Sequence, residues 1–172
     1  MTATTPNTQG ALQALQSLIL ANTGTTFAVL SSADATRYGV ARAVYIGAPK
    51  DFKDRYLPQC HIVPVEDRIA VIGEQARVND AITCEIRCIA DYTDWWAAEQ
   101  QILAIRDVMV PLLATHLRAG ATAGGNLMAS SIASVADRGA FSTIEVAEVW
   151  YRSWSCLVTL EQVYVPSGGF VG

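Results

Sequence analysis

The sequence predicts an α+β fold: a single domain in which a long helix and a shorter N-terminal helix pack on a mostly antiparallel sheet. The chain has 172 residues, the length of one domain with short extensions. Apolar residues make up 51% of it, enough to build a core without metal or disulfide support. Along the chain, a helical pattern precedes strand patterns, then a long helical pattern precedes further strand patterns. This order is typical of α+β domains.

The first predicted elements are a helix and two short strands. Leucine and isoleucine recur at helical spacing over residues 9–21, which predicts an amphipathic helix. Residues 25–40 carry no clear pattern. Residues 43–46 and 60–65 are apolar and β-branched and predict strands. Because proline donates no hydrogen bond to a ladder, Pro64 predicts that the second strand lies at a sheet edge or ends there.

Residues 78–90 carry the clearest strand pattern, and two of the four cysteines share one face of it. Four residues of extended chain separate the Cα atoms of Cys84 and Cys88 by about 13 Å, which excludes a disulfide between them. Cys60 and Cys156 also fall in predicted strands, and the chain has no CxxC or HxxxH spacing. We therefore expect all four cysteines to be small buried side chains.

The long helix is predicted from Asp94, a candidate N-cap, to Gly120, a candidate C′ residue. Pro111 lies inside it and predicts a kink or break over residues 107–110, so a helix in two pieces is an alternative. Residues 127–135 predict a short strand that enters a turn at Asp137-Arg138-Gly139. Residues 145–165 are too long for one ordinary strand, and Arg152 interrupts their apolar face, which predicts a bend or bulge over residues 152–155.

Composition excludes several classes of function. The net charge is −4, the opposite of what phosphate binding requires, so nucleic-acid binding is not expected as the main task. No stretch reaches the roughly 20 apolar residues of a spanning helix, and the polar first ten residues do not form a signal peptide. Charged residues are only 16% of the chain and the mean hydropathy is +0.25, which predicts a surface that contacts partner chains.

The segment between the first two predicted strands is the candidate contact surface. It is dense in charge for this protein and contains two aromatic residues, a combination enriched in protein interfaces. A solvated hairpin tip is the alternative. The candidate interface residues are Lys50, Asp51, Phe52, Lys53, Asp54, Arg55 and Tyr56.

Candidate catalytic residues are scarce. His61 lies in a predicted strand, and His116 lies near a helix C-terminus where it complements the helix dipole. The pair at Ser130 and Ser131 lacks the GxSxG context of a nucleophile, and the glycine-rich loop at residues 120–126 lacks the features of a phosphate-binding loop. We expect no catalytic residue, metal site or cofactor. A small-molecule enzyme or ligand-binding domain that uses Cys60, His61 or that loop is an alternative of a different class.

Five features of the chain occur in an order shared with a known family. They are an opening helix at 11–20, the segments VYIGAP at 44–49 and LPQCHIV at 57–63, a regular strand at 82–90, the long helix at 95–117, and closing strands to 165. In this layout the chain resembles the tail terminator, or tail completion, proteins of long-tailed bacteriophages.

The resemblance implies a structural virion protein that is not an enzyme. It implies a ring, usually a homohexamer, that caps the head-proximal end of the tail tube, stops its polymerisation and joins the tail to the head connector. The implied partners are copies of the chain, the tail tube protein and a head–tail connector or stopper protein, with DNA only as passing cargo and no membrane. The implied location is the tail–neck junction of a virion assembled in the host cytoplasm. Another head–tail joining or neck ring protein is the alternative.

The expected organisation has three segments: an N-terminal arm at 1–9, a tail-terminator-like α+β domain at 10–165 and a C-terminal arm at 166–172. Both arms are polar or glycine-rich and would fray alone, so we expect at least one to lie on a neighbouring subunit or on the tail tube. An acidic chain also suits a lumen through which DNA passes, because carboxylates repel phosphates.

Overall fold

The computed structural model describes residues 7–23, 43–48, 57–72, 77–91, 94–115, 130–146 and 148–164. Two helices and five strands lie in these ranges: α1 Thr8–Thr23, β1 Ala43–Ile46, β2 Gln59–Ile72, β3 Arg77–Asp91, α2 Trp95–Thr115, β4 Ser130–Val146 and β5 Val149–Tyr164. The strands form one sheet in the order β1-β2-β3-β5-β4. Its described strand pairs are antiparallel except for β1 with β2. The predicted α+β fold is confirmed.

Both helices contribute to the main core, which lies on one face of the sheet. Strand β3 shows why the sequence folds this way: every second side chain from Ile82 to Ala90 is buried, and the directly paired residues of β5 point to the same side. The leucines of α1 and the apolar stripe of α2 cover this face. The largest buried side chains of the core include Leu18, Ile19, Ile62, Ile86, Ile102, Ile105, Met109, Leu113 and Trp154.

Helix α2 begins as the sequence predicts. The carboxylate of Asp94 accepts hydrogen bonds from the backbone N–H groups of Trp96 at 3.0 Å and Ala97 at 3.2 Å, which is an N-cap. The helix then continues through Pro111 to Thr115, so the alternative of two helical pieces is wrong. Pro111 has no N–H to donate to the carbonyl of Asp107. Both residues are exposed, so water can replace the missing donor.

Strand β2 is longer than predicted. It continues past Pro64 to Ile72, and its register with β3 shifts between Pro64 and Glu66. Strand β1 pairs with β2 only as far as Ile62. Pro64 therefore lies where β2 becomes an edge of the sheet, which confirms the predicted edge position. The alternative, that the strand ends at Pro64, is wrong.

Strands β4 and β5 form a long hairpin that differs from the prediction in two places. The predicted turn at Asp137-Arg138-Gly139 is wrong, because these residues lie inside β4, at a register shift opposite Cys156 and Ser155. The chain reverses instead at Glu148, whose φ is 65°. The bulge predicted at 152–155 is also wrong: β5 pairs with β3 without interruption. An insertion in β5 would break two ladders, whereas the one in β4 disturbs only one.

Candidate assembly interface

The predicted contact segment cannot be compared with the structure. Lys50, Asp51, Phe52, Lys53, Asp54, Arg55 and Tyr56 all lie outside the described residues. They stay a prediction from sequence. The exposed surfaces of the described residues are therefore the ones from which a candidate site is built.

The clearest of these surfaces is the part of β2 that extends beyond β1. In the described ranges, no strand pairs with this edge over residues 63–72, so the backbone groups that point away from β3 have no described partner strand. Pro64 contributes no N–H to this edge. Three apolar side chains stand on it with more than half of their surface exposed: Val65 at 51%, Ile69 at 65% and Val71 at 61%. Unpaired backbone and exposed β-branched side chains together favour the addition of a further strand.

The outer edge of β4 is the second open edge of the sheet. Strand β4 is the last in the order, and its only ladder among the described strands is the one with β5. The ladders place residues 130–136 of β4 at the same end of the sheet as residues 63–72 of β2. Each described pair between these two strands is antiparallel, so β2 and β4 run in opposite directions. A neighbouring copy can therefore place its β2 beside β4 and continue the sheet as an antiparallel one.

Between these two edges, the face of the sheet opposite the main core forms a shallow trough of about 570 Å³. Its floor is made of small and polar side chains, and the hydroxyl groups of Thr83 and Thr159 are 3.2 Å apart there. At one side Arg68 donates to Glu66 at 2.7 Å, an exposed ion pair. Small side chains leave this face open to close approach by another surface. The lining includes Ala70, Ala81, Ser134, Ala136 and Leu157.

The residues of the enzymatic alternative do not come together. Cys60 and His61 are neighbours in β2, so their side chains point to opposite faces of the sheet. The ring of His61 stacks on Tyr45 with centroids 5.4 Å apart, and its nitrogens contact Gly47 O at 3.3 Å and Gln59 Oε1 at 3.2 Å. Burial lowers the pKa of His61, which keeps the imidazole neutral. These contacts hold the ring in place.

All four cysteines are buried and free, as predicted. Cys60 and Cys88 face each other across the β2–β3 ladder with their Sγ atoms 3.0 Å apart. The hydrogen bond with Cys60, followed by burial, raises the pKa of Cys88, and burial raises the pKa of Cys84 to about 11. The thiols of Cys84 and Cys88 are therefore protonated at neutral pH and act as small apolar side chains. Within the described ranges, no three histidine, cysteine or acidic side chains are grouped to hold a metal ion.

Two of the remaining candidate catalytic or binding sites from the sequence cannot be placed. His116 and the loop at 120–126 lie outside the described residues. Ser130 and Ser131 begin β4, where they pair with Gln162 and Glu161 in the ladder with β5. Neither described helix is long and apolar enough to cross a bilayer.

Comparisons with protein-family models and with curated proteins found no match to this chain. The functional interpretation therefore depends on the sequence pattern and on the geometry above. Among the described residues, that geometry consists of two sheet edges without a partner strand, a shallow face between them and helices that cover the other face. Such an arrangement is suited to contact between proteins.

Sequence reasoning missed a buried carboxyl group. Asp80 lies on the helix side of β3 and is 3% exposed, and its Oδ1 has no hydrogen-bond partner among the described residues. Burial, together with a hydrogen bond to Asp67 and repulsion from it, raises the pKa of Asp80 to about 6. The sequence does contain a signal for this burial, because Asp80 alternates in phase with Ile82 and Cys84 on the predicted strand.

Proposed function

We propose that this chain is a structural subunit of a bacteriophage virion: a ring-forming tail terminator that caps the head-proximal end of the tail tube, stops its polymerisation and joins the tail to the head connector. Two lines of argument support the proposal. The order of sequence elements resembles that family, and the fold offers open strand edges for self-association. Its role is assembly, without catalysis or a cofactor.

The observation that carries the proposal is the unpaired edge of β2. Val65, Ile69 and Val71 expose apolar surface along a strand that pairs with β3 on one side and, over residues 63–72, with no described strand on the other. Pro64, the register shift beside it and the charges of Glu66, Asp67 and Arg68 protect the first part of this edge. Ile69 and Val71 beyond them are exposed, and in this proposal a strand of a neighbouring copy covers them.

The position of the second edge decides what kind of assembly results. If β2 of one copy pairs with β4 of the next, each subunit uses two different surfaces, which is a heterologous interface. Repetition of a heterologous contact produces a ring when the rotation between neighbours closes. This is the form of assembly that a cap on a cylindrical tube requires.

The charge of the chain suits the same role. A net charge of −4 and a charged fraction of 16% give a surface that neighbouring subunits can bury at low desolvation cost. Carboxylates also repel phosphates, so a ring of such subunits lets DNA pass without binding it. The partners in this proposal are copies of the chain, the tail tube protein and a head–tail connector or stopper protein.

A charge placed on the β2 edge tests self-association. Ile69→Lys introduces a charge that a paired strand would have to bury, so light scattering should show a specific oligomer for the original protein and a monomer for the variant. Leu103→Lys is the matched control, since Leu103 is an exposed leucine on α2, away from the sheet edge. Both variants should unfold at the same urea concentration as the original protein. A monomer at every concentration of the original protein would contradict the proposal.

Electron microscopy of particles assembled without this protein tests the place of the ring. Tails that are overlong or lack heads support a terminator. Filled heads that lack tails and leak DNA would instead indicate a neck ring protein. Normal particles would contradict both assignments.

A further inference from the structure

Three of the four tryptophans lie exposed at one end of the protein. Trp95 is 60% exposed, Trp96 is 54% exposed and Trp150 is 52% exposed, whereas Trp154 is buried in the core. Exposed indoles contribute little to folding. They are the side chains most enriched among the energetic centres of protein interfaces, because they bury a large area with few rotatable bonds.

The structure brings these residues to the same end of the sheet. Trp95 and Trp96 open α2, with their rings in edge-to-face contact and their centroids 5.6 Å apart. Trp150 is the second residue of β5, and its side chain lies on the same side of that strand as Arg152. The guanidinium of Arg152 donates to the carboxylate of Glu99, one helical turn beyond Trp95. This ion pair connects the start of β5 to the start of α2. We call the three exposed tryptophans the tryptophan patch.

Carboxylates surround the tryptophan patch. Asp94 directly precedes Trp95, Glu145 is the direct cross-strand partner of Trp150, and Glu148 lies in the adjacent turn; all three are exposed. The nearest described cation, Arg152, is already held by Glu99. The described part of this surface therefore combines aromatic rings with two exposed carboxylates, Glu145 and Glu148, and with Asp94, whose carboxylate caps α2.

We propose that the tryptophan patch is a docking surface for a basic protein surface. Arginine or lysine side chains of the partner stack on the faces of the indoles and pair with the surrounding carboxylates, which are the two interactions that this combination of groups favours. A nucleic acid or an anionic membrane is not the occupant, because the carboxylates repel phosphate.

The tryptophan patch lies at the opposite end of the sheet from the open edge of β2. Trp150 lies next to Tyr151, which pairs with Asp91 at the end of β3. The exposed part of β2 pairs instead with the beginning of β3. A partner can therefore occupy the patch while copies of the chain associate through their edges. The inference does not depend on the proposed function, since it uses a different surface and a different observation.

A synthetic peptide with three arginines spaced by glycine and serine is a direct probe. Titration of the whole protein with this peptide, followed by tryptophan fluorescence, should give saturable binding that weakens as NaCl is raised. Trp96→Ala should weaken binding about tenfold, the effect of losing one desolvated cation–π contact. Trp96→Phe should retain part of the affinity. Urea unfolding should be unchanged in both variants, because Trp96 is exposed.

Matched controls separate docking at the tryptophan patch from general attraction to an acidic protein. Glu145→Gln removes a carboxylate beside Trp150 and should weaken the peptide complex, whereas Glu161→Gln removes one at the other end of β5 and should leave it unchanged. Equal effects of the two substitutions, or equal affinity of Trp96→Ala and the original protein, would overturn the inference. Tighter binding to vesicles containing anionic lipid, or to duplex DNA, than to the peptide would also overturn it.

Discussion

Gln162 holds Asn7 through both atoms of its side-chain amide. The backbone N–H of Asn7 donates to Oε1 of Gln162 at 3.0 Å, and Nε2 of Gln162 donates to the carbonyl of Asn7 at 3.1 Å. The pair connects the residue before α1 to β5, 155 positions away in sequence. Asn7 belongs to the predicted N-terminal arm, and here it is bound to the domain of its own chain.

Replacement of this amide should destabilise the protein. Gln162→Leu leaves the backbone N–H of Asn7 without its partner and removes one donor to the Asn7 carbonyl, which keeps the N–H of Ala11. Because Gln162 is buried, we expect the free energy of unfolding to fall by about 1–2 kcal/mol. Gln13→Leu is the control, because Gln13 is exposed on α1, and its effect should stay within about 0.5 kcal/mol. Urea unfolding measures both. Equal effects would mean that the amide pair does not anchor the helix.

Asp80 should make the stability of the protein depend on pH. Its folded pKa of about 6 lies above the ordinary value of 3.8, so the folded state binds a proton more tightly than the unfolded state does. The free energy of unfolding should therefore decrease as pH rises from about 4 to about 6, and the decrease is complete above the folded pKa. A shift of this size corresponds to no more than about 3 kcal/mol.

Asp80→Asn tests this dependence because it removes the charge and keeps the shape. The variant should be about 1–3 kcal/mol more stable than the original protein at pH 7.5, with little difference at pH 4. Asp107→Asn on the exposed side of α2 is the control, and it should change stability by less than about 0.5 kcal/mol at either pH. Urea unfolding across this pH range is the measurement. A gain for Asp80→Asn that is the same at both values would contradict the assignment.

Pro111 should cost stability even though α2 accommodates it. Pro111→Ala restores the hydrogen-bond donor that α2 lacks at this position, so the free energy of unfolding should rise by about 1–3 kcal/mol. Pro111→Gly restores the same donor but adds backbone freedom, and its gain should be smaller by about 1 kcal/mol. Thermal and urea unfolding measure the order of the three proteins. If alanine destabilised the protein, the proline would be needed for the packing of the helix on the sheet.

The parts of the fold predicted from sequence are those with a strong local pattern. The alternation in β3 and the three-and-four spacing in both helices depend only on which side of an element faces the core, and that information is present in a single segment. The burial of Cys84 and Cys88 followed from the same alternation. Asp94 was recognised as an N-cap because its chemistry acts within one turn.

The predictions that the structure contradicts concern positions where neighbouring elements decide the outcome. Nothing local to Asp137-Arg138-Gly139 distinguishes a turn from a bulge in an edge strand, since glycine and aspartate suit both. Likewise, Arg152 interrupts the apolar face of β5 because it pairs with Glu99 of α2, and β5 has no bulge in its ladder with β3. The extension of β2 beyond Pro64 is set by its long ladder with β3.

The sequence by itself determined the α+β class, the two helices, the buried cysteines and the bland, acidic surface, because composition and periodicity report which side chains avoid water. Only the tertiary structure decided which edges lack a partner among the described strands and that Trp95, Trp96 and Trp150 lie at one end. These features depend on contacts between segments more than fifty residues apart. Such contacts are fixed by the packing of the whole sheet, and no local pattern encodes them.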